Sequence, residues 1–232
     1  MAIKPQLFCF TYAGGTAAFF DEIEKDLDGI ELVKLEYAGH GGRHKEEFYN
    51  NFNELADDLF NLFRQSYKGG NYALFGYSMG SISLVEVLKR IMASEYQEPV
   101  SIFMAAHEPH TNSIMKGFSE EDLDTWVKER TVRFGGIPDR LLNNKVFWRT
   151  YLPIYRSDYM LISNYDFKLL DFKSDIPASV FYSETDTPRD DMQAWDRYFP
   201  CEFYHFDGTH FFIQEHHSEM ADIIRRRIGI TR

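Results

Sequence analysis

The sequence predicts an α/β fold: a mostly parallel central sheet with helices on both faces and a helical insertion. Three observations predict it. Short apolar runs alternate with helical patterns along most of the chain, a rhythm that gives a parallel sheet covered on both sides. That rhythm breaks once, between about His110 and Tyr165, where the pattern is helical and no strand is convincing. The length, 232 residues, suits one domain with one insertion. The predicted division is therefore a core of residues 1–109 and 166–232 and an insertion of residues 110–165.

The elements follow in order. Residues 6–10 read as a strand, 19–27 as the helix after it, and 31–37 as a second strand. Phe52, Leu55, Ala56, Leu59, Phe60 and Phe63 recur at helical spacing and mark an amphipathic helix. A strand at 72–76, a helix at 79–92 and a strand at 100–106 come next. In the insertion, Ser119 precedes Glu120, Glu121 and Asp122, a capping hydroxyl followed by negative charge in a first turn. "FGGIPDR" reads as a turn between helices. After it, Pro177 introduces a strand at 178–183, followed by a helix at 190–198, a strand at 202–206 and a final helix at 215–228. Because the insertion follows the strand after Ser78, a lid is expected rather than an ordinary pair of packing helices.

Composition excludes several functions. Hydrophobic residues make up 44% and aromatics 16%, which argues against disorder. No apolar run approaches a membrane span, and "MAIKPQLFCF" does not read as a secretory signal, so a cytoplasmic protein is expected. A net charge of −11 argues against general nucleic-acid binding. Cys9 and Cys201 lie in apolar runs and read as buried thiols rather than a disulfide. No CxxC, HExxH or phosphate-binding GxxxxGK pattern occurs, so no metal or nucleotide cofactor is expected.

The stretch "LFGYSMGSISL" carries the chemistry. Gly76 and Gly80 flank Ser78 symmetrically, with an apolar run before them and a helical pattern after. That order is a nucleophile elbow, a strand-to-helix turn that exposes one hydroxyl above a sheet. The turn crowds the positions two before and two after the serine, which calls for glycine at both. The start of the following helix also offers free amides to a developing oxyanion.

A serine needs a base, and the base an orienting acid. In α/β-hydrolase folds they follow in the order serine, acid, histidine. Asp186 ends the strand in "ASVFYSETD", and His210 lies in "FDGTHFF" between the last strand and last helix. Both fall at the carboxyl edge of the sheet, where ligands bind. Among rivals, His205 lies inside a strand, and His216 and His217 lie in the last helix. His107 follows a strand but precedes every strand-end acid after the insertion, so it is expected to line the pocket. Asp190 and Asp191 read as a first helical turn, Asp207 as a turn residue, and Asp175 precedes its strand. The glycine turn after the first strand suggests Ala13 N–H and Met79 N–H as the oxyanion pair.

Together "LFCFTYAGGTAAFF", "YAGHGGR", "LFGYSMGSIS", "FGGIPDRLL", "YLPIYRSDYMLISNY" and "HFDGTHFFI" resemble the stand-alone type II thioesterases of nonribosomal peptide and polyketide synthetases. The resemblance runs from about Leu7 to Ile224 and includes the insertion. It implies hydrolysis of stalled acyl groups from the phosphopantetheine arm of a carrier protein. It maps the triad onto Ser78, Asp186 and His210 and the oxyanion amides onto Ala13 and Met79. The chain departs from the family pattern at Thr11 and Ala38, where proline is usual, at Tyr77, where histidine is usual, and at Glu184, where glycine is common. Tyr77, next to the serine, is expected to pack beneath the elbow or edge the pocket. The rivals to hydrolysis are transfer of the acyl group to an alcohol or amine, and a non-catalytic carrier-binding subunit.

Charge within the insertion is uneven. Between Lys128 and Arg156 there are seven basic residues against Glu129 and Asp139, in a chain of net charge −11. This basic stretch, with Arg140 and Arg149 in it, is expected to meet an acidic carrier protein; a merely solvated helical face is the alternative.

Overall fold

The computed structural model describes residues 3–110 and 119–229. Six strands form one sheet: β1 (Gln6–Phe10), β2 (Glu31–Leu35), β3 (Tyr72–Tyr77), β4 (Ser101–Ala105), β5 (Ala178–Tyr182) and β6 (Cys201–His205). Their order is β2-β1-β3-β4-β5-β6, and every pairing is parallel. The helices are α1 (Asp21–Glu24), α2 (Phe52–Ser66), α3 (Met79–Met92), α4 (Glu120–Phe134), α5 (Asp139–Leu142), α6 (Lys145–Asn164), α7 (Arg189–Met192) and α8 (Ile213–Ile228).

Strand side chains alternate between two cores, as a pleated strand requires. Phe8, Phe10, Leu74, Met104 and Val180 point to one face, with α2, α3 and α7. Leu7, Cys9, Phe75, Tyr77, Phe103 and Phe181 point to the other, with α1 and α8. Burying both faces is what makes the central strands apolar throughout. Strand order reverses between β1 and β3, so the loops leaving these two strands part and open a crevice at their carboxyl ends.

Two expected helices are shorter than their patterns. The segment at 19–27 is a 3-10 turn, Ala17–Phe20, followed by the four residues of α1. Gly29, at φ +84°, turns the chain into β2 before another turn can form. At 190–198, α7 gives way to a 3-10 turn, Gln193–Arg197. The last helix starts two residues earlier than its pattern and kinks at His216.

Between β4 and β5 the described residues hold α4, α5 and α6 and no strand. The Ser119 hydroxyl accepts the Asp122 amide at 3.2 Å and caps α4 as its sequence suggests. Gly135 and Gly136, both at positive φ, end α4 and form the "FGGIP" turn. Residues 111–118 of the expected insertion and 1–2 and 230–232 of the expected core lie outside the described residues. Cys9 and Cys201 are free thiols, and burial pushes both pKa values up. Among the described residues no helix is long and apolar enough to cross a membrane.

Candidate active site

The elbow is built by backbone. Ser78 sits at φ +55°, ψ −118°, a conformation L-residues rarely adopt, between β3 and the first residue of α3. Its amide donates to Ala105 O at 2.8 Å, and the Ser81 hydroxyl donates back to Gly76 O at 3.1 Å. A Cβ on Gly76 would lie 2.3 Å from the Gly80 carbonyl oxygen, the crowding the sequence implies. Gly80 is glycine for a different reason: its own Cβ would lie 2.0 Å from the Phe10 carbonyl oxygen, on β1. Helix α3 therefore leaves the elbow pressed against the end of the neighbouring strand.

His210 reaches Ser78 from the loop between β6 and α8. Its Nε2 lies 3.0 Å from Ser78 Oγ, and its Nδ1 lies 3.0 and 2.9 Å from the two carboxylate oxygens of Asp186. The carboxylate accepts Nδ1–H, which leaves the Nε2 lone pair facing the serine hydroxyl. All three side chains are largely buried. The acid and histidine loops are lashed together, since the Ser183 and Thr185 hydroxyls both donate to Gly208 O. Phe134 of α4 packs on the His210 ring, with centroids 4.5 Å apart.

These groups line a cavity of about 400 Å³. Its floor holds Tyr12, Ala13, Ser78 and His107, and its roof comes from α4 and α6 through Trp126, Phe134, Tyr155 and Tyr159. Among the described residues neither the Ala13 nor the Met79 amide donates to a protein acceptor, so both are free for an oxyanion. His107 lines the cavity and lies apart from Ser78's hydrogen bonds. Its Nδ1 is buried without a hydrogen-bond partner, and burial lowers its pKa. The remaining rivals fall elsewhere: His216 and His217 pair with Glu219 and Asp26, and Asp190 and Asp191 are exposed on α7. Among the described residues no three His, Cys, Asp or Glu side chains gather as a metal set.

Tyr77 does not edge the pocket. It is fully buried on the opposite face of the sheet, against Phe19, Phe75 and Phe212, and its hydroxyl donates to His210 O at 2.7 Å. It props the histidine loop from beneath. Tyr77→Phe leaves that buried carbonyl unpaired, at a cost of about 1–3 kcal/mol, and is expected to lower the melting temperature. Relative rates across acyl chain lengths should not change; a changed ratio would mean that Tyr77 reaches the substrate.

Arg130 is a site residue that the charge count alone did not reveal. It lines the cavity, with its guanidinium over Trp126, Phe134 and Tyr159 at 5.2, 4.9 and 5.8 Å, and burial lowers its pKa. It belongs to the roof rather than to an outward basic face.

A family model described as "Thioesterase domain" matches residues 5–228. The medium-chain S-acyl fatty acid synthase thioesterase of Rattus norvegicus is 26% identical over 222 residues, covering 92% of this chain and 83% of that protein. The gramicidin S biosynthesis protein GrsT of Aneurinibacillus migulanus is 24% identical, covering 99% and 91%. Among solved structures, ClbQ from the colibactin NRPS/PKS pathway superposes with a TM-score of 0.85 at 27% identity, covering 97% of both chains. The type II thioesterase BorB from the borrelidin biosynthetic cluster gives 0.82 at 25%, covering 98% and 94%. With the match spanning nearly the whole chain on an α/β-hydrolase sheet, the protein belongs to the thioesterase-domain family and is a hydrolase of acyl thioesters.

Proposed function

We propose that this enzyme is a serine thioesterase that clears stalled or aberrant acyl groups from the phosphopantetheine arm of carrier proteins in nonribosomal peptide or polyketide synthesis, acting in the cytoplasm. One observation carries the chemistry: Ser78 Oγ, both ring nitrogens of His210 and the Asp186 carboxylate stand in line on the wall of one cavity. His210 Nε2 takes the Ser78 proton as Oγ attacks the thioester carbonyl. The Ala13 and Met79 amides hold the oxyanion, and Asp186 holds the imidazole in its tautomer. His210 then gives the proton to the departing thiolate. Water attacks the acyl-enzyme by the same route, His210 acting first as base and then returning the proton to Ser78. The carrier assignment is supported by the likeness to BorB and GrsT and by the cavity's roof.

Residues 110–165 act in this reading as a lid, since α4 and α6 cover the cavity from above. Its outer surface is the docking face for an acidic carrier. Arg140 and Arg149 are exposed there. A crevice lined by Lys128, Glu129, Val132, Arg133, Leu142 and Trp148 lies beside the cavity, with Arg133 common to both. Two residues of the basic stretch do not serve docking: Arg130 lies inside, and Arg156 faces Glu120 and Asp124 at 3.4 Å each. Opposed charge patches act mainly on encounter rate and are screened by salt. Rising salt, or Arg140→Glu with Arg149→Glu, should therefore lower kcat/KM on an acyl-carrier protein about tenfold. A small neutral acyl thioester should respond less than twofold. Equal responses would move the docking face elsewhere. Free-acid release from a panel of acyl-carrier proteins, followed by mass spectrometry, tests the function itself. An ester or amide product instead of the acid would convert the assignment to acyl transfer.

A further inference from the structure

The loop that carries Ala13 is held by groups the triad does not use. Gly14 donates its amide to Asp158 Oδ2 at 2.6 Å. The same oxygen accepts His40 Nε2 at 2.9 Å, and His40 Nδ1 faces the Ala38 carbonyl at 3.0 Å. His40 and Asp158 are only 1% and 2% exposed. An imidazole with an acceptor at each nitrogen needs both N–H groups, so the ring is an imidazolium and the contact a buried ion pair. Burial alone would lower the His40 pKa, but Asp158 and the Ala38 carbonyl outweigh it and raise the value. The other titratable groups facing this pair are Glu36, Tyr37, Tyr155 and Tyr159, and the three tyrosines are held neutral by burial.

Three distant segments meet here. Asp158 comes from α6, His40 from the loop after β2, and Gly14 from the loop after β1. Tyr155, one turn before Asp158 on α6, covers Gly14 so closely that a Cβ there would lie 2.0 Å from its ring. Gly14 is at φ +79°, and Gly15 N–H closes the turn on Tyr12 O at 3.0 Å. The turn is fixed on its own side by that bond and on the lid side by Asp158.

We propose that Asp158 and His40 are positioning residues for the oxyanion loop: their ion pair anchors the Gly14 amide, keeps the Ala13 amide aimed into the cavity, and ties that aim to helix α6. The proposal rests on the reading of Ala13 as an oxyanion donor. Asp158→Asn keeps an acceptor oxygen but removes the negative charge that pairs with the His40 imidazolium and strengthens its hold on the Gly14 amide. His40→Gln removes the charge that holds the carboxylate in place. In either variant the Gly14 turn is free to relax, and the donor it carries drifts from the place where charge develops. Losing one oxyanion donor outright costs about 100- to 1,000-fold in kcat. A displaced donor should cost less.

The test uses the full chain and a small acyl thioester, which does not depend on carrier docking. Asp158→Asn and His40→Gln should each lower kcat about 10- to 100-fold with KM within about twofold. The double variant should fall no further than the worse single, because both act through one contact. Unchanged kcat, a rise in KM alone, or fully additive losses would overturn the proposal. Should Asp158→Asn not fold, His40→Gln carries the kinetic test, and NMR of the unaltered enzyme adds a second. At about pH 6.5, where an ordinary histidine is half-protonated, the His40 ring should be mostly doubly protonated; a neutral tautomer would refute the ion pair. Ser78→Ala in the same assay separates the two levels of inference. If that variant still turns over, the nucleophile assignment fails; if it is dead while Asp158→Asn is normal, only the positioning role fails.

Discussion

Ser78→Ala is expected to lower kcat by about 10⁴- to 10⁶-fold while the protein stays folded and still binds acyl thioester. His210→Ala should fall as far. The double variant should fall little further, because nucleophile and base act as one unit. Asp186→Asn should cost about 10³- to 10⁴-fold, since an amide lets the imidazole adopt the wrong tautomer. The contrast lies in neighbouring acids. Asp190→Asn and Asp191→Asn change exposed carboxylates on α7, and Asp207→Asn changes one exposed to 95% at its side chain. All three should stay within about twofold of wild type, as surface changes away from a site do. A fluorophosphonate should label wild type and Asp190→Asn alike and leave Ser78→Ala unlabelled. Normal turnover in Asp186→Asn, or a dead Asp207→Asn, would reassign the orienting acid.

The parts of the site that could be read from sequence are those fixed by local order. A strand, a glycine-flanked serine and a helix follow one another without a gap, and Asp186 and His210 each follow a strand of a parallel sheet. Chain order and the sheet's carboxyl edge are then enough to bring them together. What local order could not give is pairing across the fold. His40 and Asp158 are 118 residues apart, and neither "YAGHGGR" nor "YRSDYM" signals the other. Two misplacements did carry a signal. Along β3, Ala73, Phe75 and Tyr77 share one side of the pleat, so strand parity puts Tyr77 beneath the sheet. Along α4, Leu123, Val127, Arg130 and Phe134 fall on one helical stripe, so Arg130 turns inward with its apolar neighbours rather than outward with Lys128, which lines only the neighbouring crevice. Counting charge without asking for phase merged those two groups.

Gly80→Ala should be among the most destabilising single changes in the chain. The added methyl would lie 2.0 Å from Phe10 O and 2.6 Å from Phe10 C, both backbone atoms of a central strand. No side chain can rotate away, so either α3 lifts from β1 or β1 leaves its register with β2 and β3. Overpacking a well-filled core costs about 1–3 kcal/mol, and contact with immobile backbone should bring the loss to about 3 kcal/mol or more, read as a lower denaturant midpoint at unchanged slope. Gly76→Ala meets Gly80 O at 2.3 Å and should behave in the same way. Gly42 is the control: a Cβ there meets nothing within 4 Å and its φ is not positive, so Gly42→Ala should be neutral or gain up to about 1 kcal/mol. The consequence reaches the chemistry. Ser78 sits at φ +55° with its amide on Ala105 O of β4, and Gly80, two residues on, lies against Phe10 O of β1. A folded Gly80→Ala protein would thus present its hydroxyl out of line with His210 Nε2, and its kcat should fall by more than its folded fraction. If Gly80→Ala keeps both the wild-type midpoint and wild-type turnover, the close approach of α3 to β1 is not what holds the serine in place.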